Sequence, residues 1–167
     1  MFVYLCDIIE LHYFLKKQMK SKDNKHNIIY IKPNDSSFIR GDQKIFEKYY
    51  AVTPFLLSQL KGNLHYALMN IKLFILLISK VFSKNVVFIA WFADYHTAIM
   101  TLAAKLTGKK SIILIGGQEA VCYHELNKGV YRKKIRGEFV KFALKNTDLI
   151  IANHKSLIYH ENYYYNQ

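Results

Sequence analysis

Three stretches between Asn85 and His154 stay apolar over the length of a strand: Val86-Val87-Phe88-Ile89-Ala90-Trp91-Phe92, Ser111-Ile112-Ile113-Leu114-Ile115 and Asp148-Leu149-Ile150-Ile151-Ala152. A strand without polar alternation is covered on both faces, the usual condition of a parallel sheet held between helices. The segments between these runs look helical, so the pattern predicts an α/β fold of three layers, α/β/α, around a mainly parallel sheet. Each run then gives way to a more polar segment: Ala93-Asp94-Tyr95-His96, Gly116-Gly117-Gln118-Glu119 and Asn153-His154-Lys155. In parallel strands these exits share the carboxyl edge, where open α/β sheets bind ligands.

The rest of the chain adds elements to this frame. Met1 to Ile9 reads as a first strand interrupted by Cys6-Asp7, and Leu11 to Lys22 as a helix. Asn27 to Lys32 is a strand stopped by the turn signal Pro33-Asn34-Asp35. Phe38 to Phe55 is ambiguous, with Tyr49-Tyr50-Ala51-Val52 a candidate short strand ahead of Pro54. Gly62-Asn63 opens a long helix reaching Phe82, in which Leu64, Leu68, Ile71, Ile75, Ile78 and Phe82 keep helical period. Lys72 and Lys80 interrupt it, so it reads as a buried or interfacial helix in preference to a transmembrane one. Asp94 stands where an N-cap is wanted for a helix over Tyr95 to Leu106, and Gly108 where a C-terminal glycine is wanted. Cys122 to Val130 reads as a loop, Tyr131 to Lys145 as a helix anchored by Ile135, Phe139 and Phe142, and Lys155 to His160 as a further helix start. With no repeat and no low-complexity linker, the prediction is one domain over residues 1–167.

Charge narrows the partners. Lys and Arg number 24 against 12 Asp and Glu, a formal +12, which favours a phosphorylated ligand, an anionic membrane face or nucleic acid. The densest basic run is Lys128, Arg132, Lys133, Lys134, Arg136, Lys141 and Lys145. It reads either as a solvated face or as a surface for anionic lipid headgroups. Nucleic acid is the weaker reading, because aromatic residues are not interleaved with the cations as a stacking platform requires. Cys6 and Cys122 lack any metal-ligand spacing, so neither a metal site nor a disulfide framework is expected, and a cytoplasmic setting is the simpler one. The amino terminus has no positive n-region of a signal peptide.

Candidate chemistry gathers at the three exits. Gly116 and Gly117, lacking Cβ atoms, permit a tight turn and a close ligand, and Glu119 could accept hydrogen bonds from sugar hydroxyls. The blander reading is a strand exit with a solvated Glu119. His96 has the ordinary pKa for proton transfer near neutrality, next to Asp94; the blander reading is an N-cap followed by a first-turn histidine. No phosphate-binding glycine loop, serine nucleophile elbow or HExxH zinc motif is present.

Taken in order, VVFIAWFADYHTA (Val86 to Ala98), SIILIGGQEA (Ser111 to Ala120), the Gly129-x-x-Arg132 segment and KNTDLIIANHKS (Lys145 to Ser156) resemble the amino-terminal domain of GT-B glycosyltransferases, especially the bacterial retaining family 4. The resemblance implies a Rossmann-like half that binds an acceptor, a lipid-linked or surface glycan, and faces a second half across a cleft. That carboxyl-terminal half would hold the nucleotide-sugar donor, and it is absent from this chain. The implied enzyme needs no cofactor or metal and would act only when completed by that half or by a partner chain. Its implied place is the cytoplasm, peripherally at the inner membrane face. On this reading Gly116, Gly117 and Glu119 line the cleft beneath the transferred sugar, while Asp94 and His96 border the acceptor. The alternative is a non-catalytic binding or membrane-docking subunit that acts with a separate donor-binding chain.

Overall fold

The computed structural model describes residues 2–4, 27–57, 62–117 and 129–153. Its strands are β1 (Phe2–Tyr4), β2 (Asn27–Lys32), β3 (Ala51–Leu56), β4 (Val86–Trp91), β5 (Lys110–Ile115) and β6 (Leu149–Ala152). They form one sheet in the order β1-β6-β5-β4-β2-β3, with every neighbouring pair parallel. Four α-helices are described: α1 (Ser37–Tyr49), α2 (Asn63–Ile78), α3 (Tyr95–Thr107) and α4 (Lys134–Asn146), the last preceded by a 3-10 turn at Val130–Arg132. This is the Rossmann-like three-layer α/β/α fold that the alternation of elements predicts.

Alternate side chains of the strands feed two cores. On one face Ile29, Ile31, Phe88, Ala90, Ile113, Ile115 and Ile150 pack with Leu73 and Leu77 of α2, Met100 of α3 and Val140 of α4. On the other, Ile28, Tyr30, Val87, Ile89, Trp91, Ile112 and Leu114 pack with Ile39 and Phe46 of α1. Continuous apolar runs are therefore explained: both faces of β2, β4, β5 and β6 are buried.

The ambiguous stretch from Phe38 resolves into α1 and then β3. β3 is an edge strand, which is where Pro54, opposite Tyr30, is tolerated in a sheet. α3 runs as predicted from the Asp94 cap to Gly108, whose φ of 66° is the left-handed C-cap conformation.

Two helices are turned relative to expectation. In α4 the buried residues are Gly137, Val140, Ala143 and Leu144, whereas the expected anchors Ile135, Phe139 and Phe142 are exposed, Ile135 by 71%. Small residues decide this rotation: a Cβ at Gly137 would stand 3.2 Å from the Tyr131 α-carbon, so the glycine lets α4 approach the turn before it. In α2 the helix ends at Ile78 and buries Asn70, Leu73 and Leu77, while Leu64, Leu68, Ile71 and Ile75 face outward. No helix among the described residues is long and apolar enough to cross a membrane.

Candidate functional site at the carboxyl edge

β4, β5 and β6 are adjacent, so their three exits do converge on one edge. The Phe92 amide donates to the Leu114 carbonyl at 2.8 Å, and the Asn153 amide donates to the Ile115 carbonyl at 3.2 Å. These bonds carry the pairing one residue past each strand and bring Phe92, Gly116 and Asn153 side by side. Phe92 takes a φ of 61°, uncommon for a bulky residue. Its ring lies 5.3 Å from the Trp91 ring and 6.1 Å from that of Phe38.

The two glycines have different duties. A Cβ at Gly116 would strike the Phe92 ring at 2.7 Å, so the first glycine makes room for that ring. A Cβ at Gly117, whose φ is 150°, would meet nothing within 4 Å among the described residues. Glu119 and Lys128 lie outside the described residues.

At the end of β4 sits a buried polar cluster. Asp94 caps α3: its carboxylate accepts from the Tyr95 amide at 2.8 Å, and its own amide donates to Thr97 Oγ1 at 2.9 Å. Arg136 of α4 grips the same carboxylate with two nitrogens, Nε at 2.8 Å from Oδ1 and Nη2 on Oδ2. Two parallel charge-assisted bonds of this kind fix orientation as well as distance. The Asp94 carboxylate holds the Arg136 guanidinium even more firmly protonated than usual, against the opposing effect of its partial burial.

His96 is fully buried. Its Nε2 is 3.0 Å from the Trp91 carbonyl, an acceptor only, so Nε2 carries the proton. Nδ1 is then the acceptor facing the Tyr66 hydroxyl of α2 at 3.4 Å. Burial pushes the His96 pKa below its ordinary value, more than the Trp91 carbonyl and Asp94 raise it. A neutral, enclosed imidazole with both nitrogens facing partners is a structural group.

The structure encloses both Asp94 and His96, the two residues expected to border the acceptor. Asp94 is only 5% exposed and saturated by Arg136, and His96 meets no solvent. They tie α2, α3 and α4 to the end of β4. Of the basic run expected on an anion-binding surface, Arg136 clamps Asp94, and Arg132, Lys133 and Lys134 are exposed.

A second set of residues, absent from the sequence-derived site, lies one strand away. The chain leaves β2 through α1 towards β3, on one face, and returns through α2 to β4, on the other, so the topological switch point falls between β2 and β4. There Lys32, 7% exposed, donates to Asp35 Oδ1 at 2.7 Å and to Gln43 Oε1 at 2.9 Å. Trp91 Nε1 donates to Asp42 Oδ2 at 3.0 Å, and burial raises the Asp42 pKa despite that bond. Among the described residues no cluster of three His, Cys, Asp or Glu side chains could hold a metal ion.

No family model, curated protein or solved structure matches the chain.

Proposed function

We propose that this chain is the acceptor-side half of a GT-B-type glycosyltransferase that passes a sugar from a nucleotide-sugar to a lipid-linked or surface glycan. The observation that supports the reading best is the middle exit of the carboxyl edge. There Gly117 meets none of the described residues, directly beyond a Gly116 that is locked against Phe92. A sugar can approach the backbone at such a point, and Glu119, two residues further, supplies a carboxylate for its hydroxyls. The Asp94–Arg136 clamp and His96 lend rigidity at the end of β4, beside the acceptor.

In the transfer, an acceptor hydroxyl oxygen bonds to the anomeric carbon as the sugar–phosphate bond breaks. The hydroxyl proton leaves with the departing diphosphate. The acceptor half contributes positioning, and the diphosphate is met by a second half or a partner chain. The excess of basic residues suits work at the inner face of a membrane, where the acceptor would be anchored.

The test uses the natural gene product, a lipid extract from the source cells and a panel of uridine- and guanosine-diphosphate sugars labelled in the sugar. Label should pass into the lipid-extractable fraction. Glu119→Gln should reduce that transfer by about tenfold or more without changing the melting temperature, and Gly117→Val, strained at a φ of 150°, should reduce it at least as far at temperatures where the variant stays folded. Absence of transfer from every donor, or full transfer by Gly117→Val, would overturn the reading.

A further inference from the structure

Helix α2 is apolar on two opposite faces. The inner face is accounted for by Leu73 and Leu77, fully buried against the sheet. The outer face carries Leu64, Leu68, Ile71 and Ile75, spaced to lie in one stripe, with exposures of 77%, 50%, 57% and 63%. Phe82, in the turn that follows, is 93% exposed. An amphipathic helix on a water-facing layer puts charged and polar residues there; a helix apolar all round normally has a second covering. A contiguous patch of this kind marks an interaction surface.

Charge identifies what covers it. From Asn63 to Lys110 the only acidic residue is Asp94, and that carboxylate is buried and paired with Arg136. The same stretch holds Lys72 on the exposed side of α2, Lys80 and Lys84 just beyond its end, and Lys105 in the last turn of α3; Lys109 donates to the Ser83 carbonyl and Lys110 pairs with Asp148. A second copy seated on the stripe would bring these lysines against their own counterparts. An apolar ridge edged by lysines, in a stretch with no exposed carboxylate of its own, instead matches a bilayer with anionic headgroups: alkyl side chains enter the acyl boundary and the ammonium groups stay at phosphate level.

We infer that the outer face of α2 docks this protein on an anionic lipid bilayer, with Leu64, Leu68, Ile71, Ile75 and Phe82 inserted and Lys72, Lys80 and Lys84 at the headgroups. The basic run at the start of α4 is not the principal contact. α2 begins at the carboxyl edge of the sheet, where its Tyr66 reaches His96, so the docked helix sets that edge beside the membrane surface. The assignment stands whether or not the chain transfers sugars.

Flotation of the 167-residue chain with phosphatidylcholine vesicles containing about one-third phosphatidylglycerol tests it. The protein should float with these vesicles and bind pure phosphatidylcholine far less. Ile71→Ser with Ile75→Ser should lower partitioning about tenfold or more, at an unchanged melting curve because both side chains are exposed. Lys72→Glu with Lys80→Glu should weaken it comparably, and Lys133→Glu with Lys134→Glu should leave it within about twofold. Three results would overturn the inference: no flotation with anionic vesicles, flotation lost through the α4 pair but not the α2 pair, or a solution dimer that Ile71→Ser with Ile75→Ser converts to monomer.

Discussion

His96 shows how one residue can look catalytic in a sequence and be structural in the fold. Its pKa lies below the ordinary value because the fully buried ring loses hydration in its charged form. Below about pH 6.5 the unfolded chain therefore binds a proton at this position that the folded chain refuses, and stability falls as the pH is lowered. We expect urea midpoints to drop between pH 7 and pH 5, with a slope of up to about 1.4 kcal/mol per pH unit from this group. His96→Gln should flatten that slope, whatever it does to the absolute midpoint. A slope equal in variant and parent would show that the imidazole is hydrated. The Asp94 cap was legible because capping is local, a short side chain just ahead of a helical period. The grip of Arg136 on it was not, because the partner lies on another helix and nothing in the chain around Arg136 marks it as inward-facing. Lys32 and Asp42 escaped notice for a related reason: a switch point is a property of strand order, and strand order was not in the pattern.

At the scale of elements, strands were easier to read than the rotation of helices. β4, β5 and β6 announce themselves because both faces are buried and every position is apolar. α2 and α4 each offer two apolar stripes, and a count of hydrophobic positions cannot say which faces the sheet. In α4 the answer lies with Gly137 and Ala143, whose smallness permits close packing and carries almost no hydrophobic signal. In α2 it can be checked directly. Leu73→Ala removes a fully buried side chain and should cost about 2–5 kcal/mol, whereas Leu68→Ala on the outer face should stay within about 0.5 kcal/mol. Denaturant midpoints of the two variants decide the rotation, and reversed magnitudes would mean that the stripe read from the sequence is the buried one after all.

Across the whole molecule, protection should follow the order of the strands. β2, β4 and β5 lie inside the sheet with buried side chains on both faces, while β3 borders it with most of its side chains partly or fully exposed. Amide hydrogen exchange should be slowest in β2, β4 and β5 and faster in β3, a ranking that uniform exchange across all four would contradict. The parallel arrangement also has a kinetic consequence. Asn27 pairs with both Ala51 and Val86, and Phe2 pairs with Ile150, so no strand of this sheet can be stitched to the next by a hairpin. Each pairing waits for a helix to be made and folded back, which places refolding among the slower, topology-limited cases. On the ribosome the delay is longest for β1: it emerges ahead of every other described strand, and its partner β6 emerges after all of them. Until then β5 has an open edge, and a nascent chain halted before Leu149 would offer that edge to any neighbour able to add a strand.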